Sequence, residues 1–289
     1  MSGGLRAVGV VPHPDRPAAR DLARHAVAWL QARGLRVRVP APEGVDLAAE
    51  GVEVTAPERF APGLEAAVSI GGDGTMLRTV DLVADAGVPV LGVNAGRLGF
   101  LTAVDPDGLA DALGRLAVGD VAIEERMMLE ATVVSHGRAG GVRRALNEVV
   151  VEKRHPGHLT RLHVRLDGEP FTTYAADALI AATPTGSTAY AFSAHGPIVH
   201  PGLACVLLTP VSPHMLFDRA LVLAPETTVE IQVAEDRPSL LTLDGRLLGD
   251  LEPGDRVVVR RADRPARLVT FRNRDFHRIL RTRFGLAGA

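Results

Sequence analysis

The chain has 289 residues, 46% of them hydrophobic, with a formal net charge of -2 and a single cysteine, Cys205. That length suits one large domain or two of ordinary size, and the apolar fraction is enough to fill real cores. The near-neutral charge gives no global attraction for nucleic acid or an acidic membrane, no apolar run approaches the roughly 20 residues a membrane span needs, and one cysteine excludes an intrachain disulfide.

Leu5 to Val11 reads as a buried first strand closed by the turn Pro12-His13-Pro14. Nothing at this start resembles a signal peptide, so a cytoplasmic protein is expected. Pro17 suits the first turn of a helix with an apolar stripe of Leu22, His25, Ala26, Trp29 and Leu30, and Gly34 stops it. Leu35 to Val39 is a second strand, and residues 40 to 63, rich in Pro, Glu and Ala, read as irregular and mobile. A third strand, Leu64 to Ile70, runs into Gly71-Gly72-Asp73-Gly74-Thr75, and helical spacing resumes from Met76 to Ala86.

This glycine segment organises the chain. Glycines at a strand-to-helix turn let backbone approach a bulky anion, and the helix start offers unpaired N–H groups, so phosphate is the natural guest. Asp73 would repel phosphate unless it serves a metal, a hydroxyl group or a proton transfer, which suggests kinase chemistry. The plainer alternative is a tight turn with an Asp cap. A P-loop is excluded, because Lys153, the only lysine, follows Glu152 rather than Gly. Arg78 and Arg97 are candidates to assist with phosphate, the alternative being solvated surface arginines.

Val88 to Asn94 is a fourth strand, leading into the second glycine-rich segment, Asn94 to Leu101; a helix from Asp105-Pro106 to Leu116 follows. Strand and helix alternate through this half, the signature of a parallel sheet with helices on both faces and ligands at the carboxyl ends of the strands. From about Val121 the pattern changes to short β-rich runs, 127–134, 162–166, 203–208, 221–223, 229–233, 240–243 and 257–261, separated by Gly, Pro and Asp turns, as in a β-sandwich. A final amphipathic helix from Asp275 to Arg283, with Phe276, Ile279, Leu280 and Phe284 apolar, needs a partner face. His155, His158 and His163 do not have the spacing of a structural zinc site. Ser187 beside Gly186 lacks the nucleophile-elbow pattern. Cys205 lies in an apolar run, as a small core residue does.

Four separated segments resemble the NAD kinase family: Gly71 to Thr75, Asn94 to Leu101, Asn147-Glu148, and Thr183-Pro184-Thr185-Gly186-Ser187-Thr188-Ala189-Tyr190 preceded by Asp177 and followed by Phe192-Ser193. The likeness extends to Pro210, Pro213-His214 and Asp244-Gly245. It implies an α/β N-terminal domain with a Rossmann-like parallel sheet over residues 1–122, completed by 271–289, and an all-β sandwich-like NAD-binding domain over 123–270, with the last helix packing back on the first domain. It also implies Mg²⁺-dependent transfer of a phosphoryl group from ATP or polyphosphate to the 2′-hydroxyl of the adenosine ribose of NAD, giving NADP, in a homodimer or homotetramer whose neighbouring subunit completes the pocket.

Carried over by position, Asp73 resembles the general base facing that hydroxyl, and Gly71, Gly72, Gly74 and Thr75 form the phosphate loop, with Gly74 also beside NAD. Phe100 would pack near the adenine, Asn147 and Glu148 would hold the adenosine portion, and Asp177, Thr185, Thr188, Ala189, Tyr190 and Ser193 would line the adenine and ribose pocket. No metal ligand is assigned among the side chains. Three positions depart from the family: Ala178 where Gly usually follows the aspartate, His195 where a Gly-like residue is common, and Ala220 in place of Pro. The methyl of Ala178 is expected to tilt Asp177. A lipid kinase shares the glycine loop but would need an apolar substrate groove, and a dinucleotide sensor would bind without turnover.

Overall fold

The computed structural model describes residues 5–96, 99–234, 237–271 and 276–286. It divides into two compact units, residues 1–125 with 266–289, and residues 126–265. The sequence reading closed the second domain at 270; the strand Ala266–Thr270 lies in the sheet of the first unit.

In the first unit, β1 (Ala7–Pro12), β2 (Arg36–Pro40), β3 (Glu53–Thr55), β4 (Ala66–Gly71), β5 (Val90–Asn94), β6 (Ala122–Arg126) and the strand Ala266–Thr270 form one sheet. The order is β3-β2-β1-β4-β5, then Ala266–Thr270, then β6. The pairs from β3 through β5 to Ala266–Thr270 are parallel. Parallel strands need crossovers, supplied by α1 (Pro17–Gln31) and α2 (Asp73–Val83), with α3 (Leu109–Val118) before β6. Successive strand residues face opposite sides, and both sides are used. Leu91 and Val93 share a core with Ala23, Leu30, Leu113 and Leu116 of α1 and α3, whereas Gly92 between them faces Met76 of α2. Helices therefore cover both faces, the doubly wound arrangement expected from the alternating pattern.

Several local readings shift. The buried stripe of α1 is Ala19, Ala23, Ala26, Val27 and Leu30, and His25 is exposed. Residues 40–63, read as irregular, hold the edge strand β3 and two short 3-10 turns, Val45–Glu50 and Pro57–Arg59. The helix after the glycine loop begins at Asp73 itself, three residues earlier than the apolar spacing indicates, because the first turn is glycine and polar. Asp275 lies outside the described residues. The final helix runs from Phe276 to Phe284 and places the Phe284 ring 6.0 Å from that of Phe100, which supplies the expected partner face.

The second unit is two antiparallel sheets. One has the order Leu221–Leu223, Val206–Val211, Ala178–Ala182, Glu148–Lys153, Ser239–Leu243, Arg246–Leu251. The other runs Glu169–Ala176, Thr160–Leu166, Val229–Val233, Arg256–Arg261, Leu129–Ser135, Arg138–Ala139, with Arg143–Ala145 also on Leu129–Ser135. Alternate residues of both, such as Val149, Val151, Leu179 and Leu241 from the first and Leu162, Val164, Ile231 and Val257 from the second, interdigitate in one core, which makes a sandwich. The outer face of the first sheet is covered too. Val150, Ile180, Ala182 and Leu207 pack there with Ala191 and Cys205, so Cys205 is a core residue whose thiol burial pushes its pKa up.

Candidate functional site

The candidate residues fall in two clusters, one per unit. In the first unit the strand order reverses between β1 and β4, and the chain leaves in opposite directions from the carboxyl ends of these two strands. The loop after β4 is the glycine segment. Gly72 caps α2 in extended backbone with no side-chain acceptor for the first N–H groups, so the helix start presents free donors. None of Gly71, Gly72 and Gly74 has a positive φ. Glycine is required there for closeness instead: a Cβ on Gly71 would collide with the Thr75 side chain, and a Cβ on Gly74 would meet nothing within 4 Å, leaving that face open to a ligand.

Asp73 stands in the first turn of α2, where a carboxylate interacts favourably with the helix dipole. Its two oxygens accept hydrogen bonds from the second glycine-rich segment, Oδ2 from Phe100 N and Oδ1 from Leu101 N, both at 2.9 Å. The two segments are also joined by Ala95 N donating to Gly71 O at 2.8 Å. A carboxylate can accept about four hydrogen bonds, so this clamp fixes the orientation of Asp73 and leaves it capacity for a substrate hydroxyl. Phe100 lies half-buried against Phe284, with the Arg283 guanidinium 5.2 Å from its ring centre. Of the two arginines proposed for phosphate, only Arg78 lies among the described residues. Arg78 is bound to Glu43 at 2.7 Å and to Asp81 at 3.3 Å, and Arg97 lies outside them.

The second cluster is built on one aspartate. Asp244 and Gly245, both at positive φ, turn the hairpin between Ser239–Leu243 and Arg246–Leu251, as type I′ geometry requires. The Asp244 carboxylate then accepts from Leu146 N at 2.8 Å, Asn147 N at 2.7 Å and Glu148 N at 3.1 Å. Thr183 fastens the opposite side: its N–H donates to Asn147 O, its hydroxyl to Leu146 O at 2.6 Å, and Gly186 N donates to Thr183 Oγ1. Gly186 lies so close to the Asn147 backbone that a Cβ there would overlap it. Asn147, Glu148 and the 183–190 segment are thus one rigid unit. Within it Thr185 is buried and accepts from Arg126 Nη1 at 3.2 Å, Thr188 and Ala189 are half-buried, and Tyr190 and Ser193 are exposed. Ser187 is fully buried and bonded to Pro184 and Val199, a structural hydroxyl.

Glu148 is the electrostatic outlier. Burial, and then the charge of Asp244, push its pKa up to about 8, against a smaller opposing effect from the Tyr190 N–H; its Oε2 is buried with no hydrogen-bond partner among the described residues. The Tyr190 phenol is also raised, by burial and by the charges of Glu152, Asp177 and Glu148. Asp177 is held at 2.5 Å by Lys153, a neighbour the sequence reading used only to exclude a P-loop. Ala178 is the first residue of the strand Ala178–Ala182, its methyl packs with Val150 and Ile180, and Asp177 N and O both join backbone hydrogen bonds. His195 is exposed at positive φ.

The pKa of Glu148 gives a test of its burial. Because the native carboxyl keeps its proton up to about 8 while the unfolded one loses it near 4.5, the native state holds more protons in between. Stability therefore falls as pH rises through that window, by ~1.4 kcal/mol per pH unit for this one group. Glu148→Gln is expected to be more stable than the parent at pH 8 and to lose that advantage at pH 5, read by urea unfolding at both values; a gap independent of pH would refute it.

Known proteins agree with this arrangement. A family model described as the ATP-NAD kinase N-terminal domain matches residues 8–121, and one described as the ATP-NAD kinase C-terminal domain matches 146–271. An NAD kinase of Heliobacterium modesticaldum is 43% identical over 281 residues, covering 96% of this chain and 98% of its own. The chain belongs to the NAD kinase family. An NAD kinase of Geobacter sulfurreducens is 39% identical over 96% of this chain and 98% of its own. Among solved structures, a yeast NADH kinase complexed with NADH matches with a TM-score of 0.92 at 25% identity, covering all of this chain and 90% of its own. An NAD kinase from Archaeoglobus fulgidus in complex with ATP matches with a TM-score of 0.71 at 25% identity, covering 98% and 100%. Family membership makes the chain a phosphotransferase. No described helix is long and apolar enough to cross a membrane.

Proposed function

We propose that this NAD kinase family member transfers the terminal phosphoryl group of ATP to the 2′-hydroxyl of the adenosine ribose of NAD, giving NADP. The observation that carries the reading is the clamped carboxylate of Asp73 at an open glycine-lined helix start. In a loose phosphoryl-transfer transition state little proton removal is needed early, so one oriented carboxylate that accepts the hydroxyl proton late is sufficient. Asp73 takes that role. The free N–H groups of the α2 start, at Gly74 and Thr75, face the charge that develops on the transferred group.

The adenosine end of NAD belongs with Asn147, Glu148, Asp177, Thr185, Thr188, Ala189, Tyr190 and Ser193. Their chemistry suits it: the half-exposed Tyr190 ring offers a stacking face, and Glu148 and Asp177 offer oxygens to ribose hydroxyls and an amino group. Phe100 adds an apolar surface beside Asp73. Magnesium enters with the nucleotide. Mg²⁺ keeps its waters and binds mainly through substrate phosphates and one or two carboxylates. Bound that way it would neutralise charge on the phosphate chain, with Asp73 the nearest protein carboxylate to the loop. Inorganic polyphosphate carries the same phosphate chemistry and is a possible second donor.

The exposed apolar side chains of the second unit, Leu203, Leu216, Val222 and Leu247, support assembly into a homodimer or homotetramer. A cytoplasmic setting fits an enzyme that draws on ATP. The test is formation of NADP from NAD and MgATP, coupled to an NADP-specific dehydrogenase. Steady turnover is expected; measurable NAD binding without turnover, with either ATP or polyphosphate, would make the protein a dinucleotide sensor instead.

A further inference from the structure

Arg16 had no part in the sequence reading. It ends the loop after β1 and caps α1 in extended backbone, without a side-chain capping bond. Its guanidinium overlies both glycine-rich segments: a methyl built on Gly96 would lie 3.0 Å from Arg16 Nη1, and one built on Gly72 3.9 Å from the same atom. The side chain is exposed, and among the described residues it has no ion pair or hydrogen bond. Two other candidate cations among the described residues are engaged. Arg78 is held by Glu43 and Asp81, and Lys153 by Asp177.

The loop that carries Arg16 is fixed. His13 N donates to Ile70 O at 2.8 Å, tying it to the end of β4; Asp15 N donates to His13 Nδ1; and Arg20, itself paired with Asp46, donates to Pro14 O. The position is also the topological one. The loops after β1 and β4 flank the point where the strand order reverses, and a ligand entering there meets both. A planar guanidinium with donors in a fork matches a phosphate group better than any other side chain does.

We propose that Arg16 is a donor-binding residue, which grips the phosphate chain of the phosphoryl donor. This rests on the reading that the glycine loop holds the donor. It goes beyond that reading in making the affinity for the donor, and not for NAD, depend on the loop after β1. Because the contact is to phosphate, it is indifferent to the base.

The test uses the full chain with Arg16→Ala and Arg16→Lys. Arg16→Ala is expected to raise the KM for MgATP about ten- to a hundredfold, the usual cost of losing a hydrogen bond to a charged group, with the KM for NAD and the melting temperature unchanged. Arg16→Lys should restore part of the loss. Calorimetric binding of magnesium tripolyphosphate should weaken by the same factor as binding of MgATP. An unchanged KM for MgATP would overturn the proposal, and so would a rise confined to NAD, which would put the guanidinium on the dinucleotide pyrophosphate. If the parent protein formed no NADP yet bound tripolyphosphate through Arg16, the reaction would be wrong and the anion contact right.

Discussion

Asp73→Asn is expected to reduce turnover by about two to four orders of magnitude, the range a lost general base commonly costs, while NAD binding stays near that of the parent. The substitution is not isosteric in its hydrogen bonding. Asp73 accepts from two backbone N–H groups, Phe100 N and Leu101 N. An amide can answer only one of them and turns an NH₂ toward the other, so about 1–3 kcal/mol of stability should be lost as well. Initial rates of NADP formation, NAD titration by calorimetry and urea unfolding separate the two effects. A variant that still turns over within a few-fold of the parent would remove Asp73 from the role of base, whatever its stability.

Gly99→Ala is expected to act on the same carboxylate from the other side. A Cβ on Gly99 would overlap Asp73 Oδ1 and lie 2.8 Å from its carboxyl carbon, so Asp73 or the 99–101 backbone must move. Displacement of a reacting group by about 1 Å can cost a hundredfold in rate, and turnover should fall by about that factor. The fold should lose only the ~1–3 kcal/mol usual for an overpacked site. Gly114→Ala is the matched control: its Cβ would find ordinary contact with Trp29 at 3.8 Å, within α3, where alanine favours the helix. If Gly99 acts through Asp73, adding Gly99→Ala to Asp73→Asn costs little further rate; fully multiplicative losses would mean that Gly99 serves something else.

The glycine loop was legible because its parts are local. An apolar run, three glycines and a helical period are all written within twenty residues, and they place the loop at a strand-to-helix turn. What holds Asp73 was not legible. The amides that clamp it lie 27 and 28 residues further on, and a backbone N–H leaves no mark on a sequence. Asp244 differs in kind. An Asp-Gly pair between two β-rich runs is a hairpin signal, so the turn could be read, yet its carboxylate acts 96 to 98 residues away on Leu146, Asn147 and Glu148.

One strand of the second cluster was missed for a compositional reason. Ala178–Ala182 is mostly alanine, a weak strand former that is tolerated because both of its faces are buried. The pairing of Arg78 was not legible because Glu43, its partner, lies in a stretch read as irregular. Arg16 gave no signal of its own, since its importance comes from the strand order, which no local pattern encodes.

The strand Ala266–Thr270 sits inside the first sheet, between β5 and β6, and not at its rim. Synthesis delivers β5 and β6 more than a hundred residues before it. For all that interval one edge of β5 is unpaired, and a bare strand edge in a partly folded chain invites pairing with other chains. The first unit to be translated is therefore the last to be finished, and it closes only after the sandwich encoded within it has left the ribosome. A chain cut short at residue 265 would lose the middle of its first sheet, not a dispensable tail.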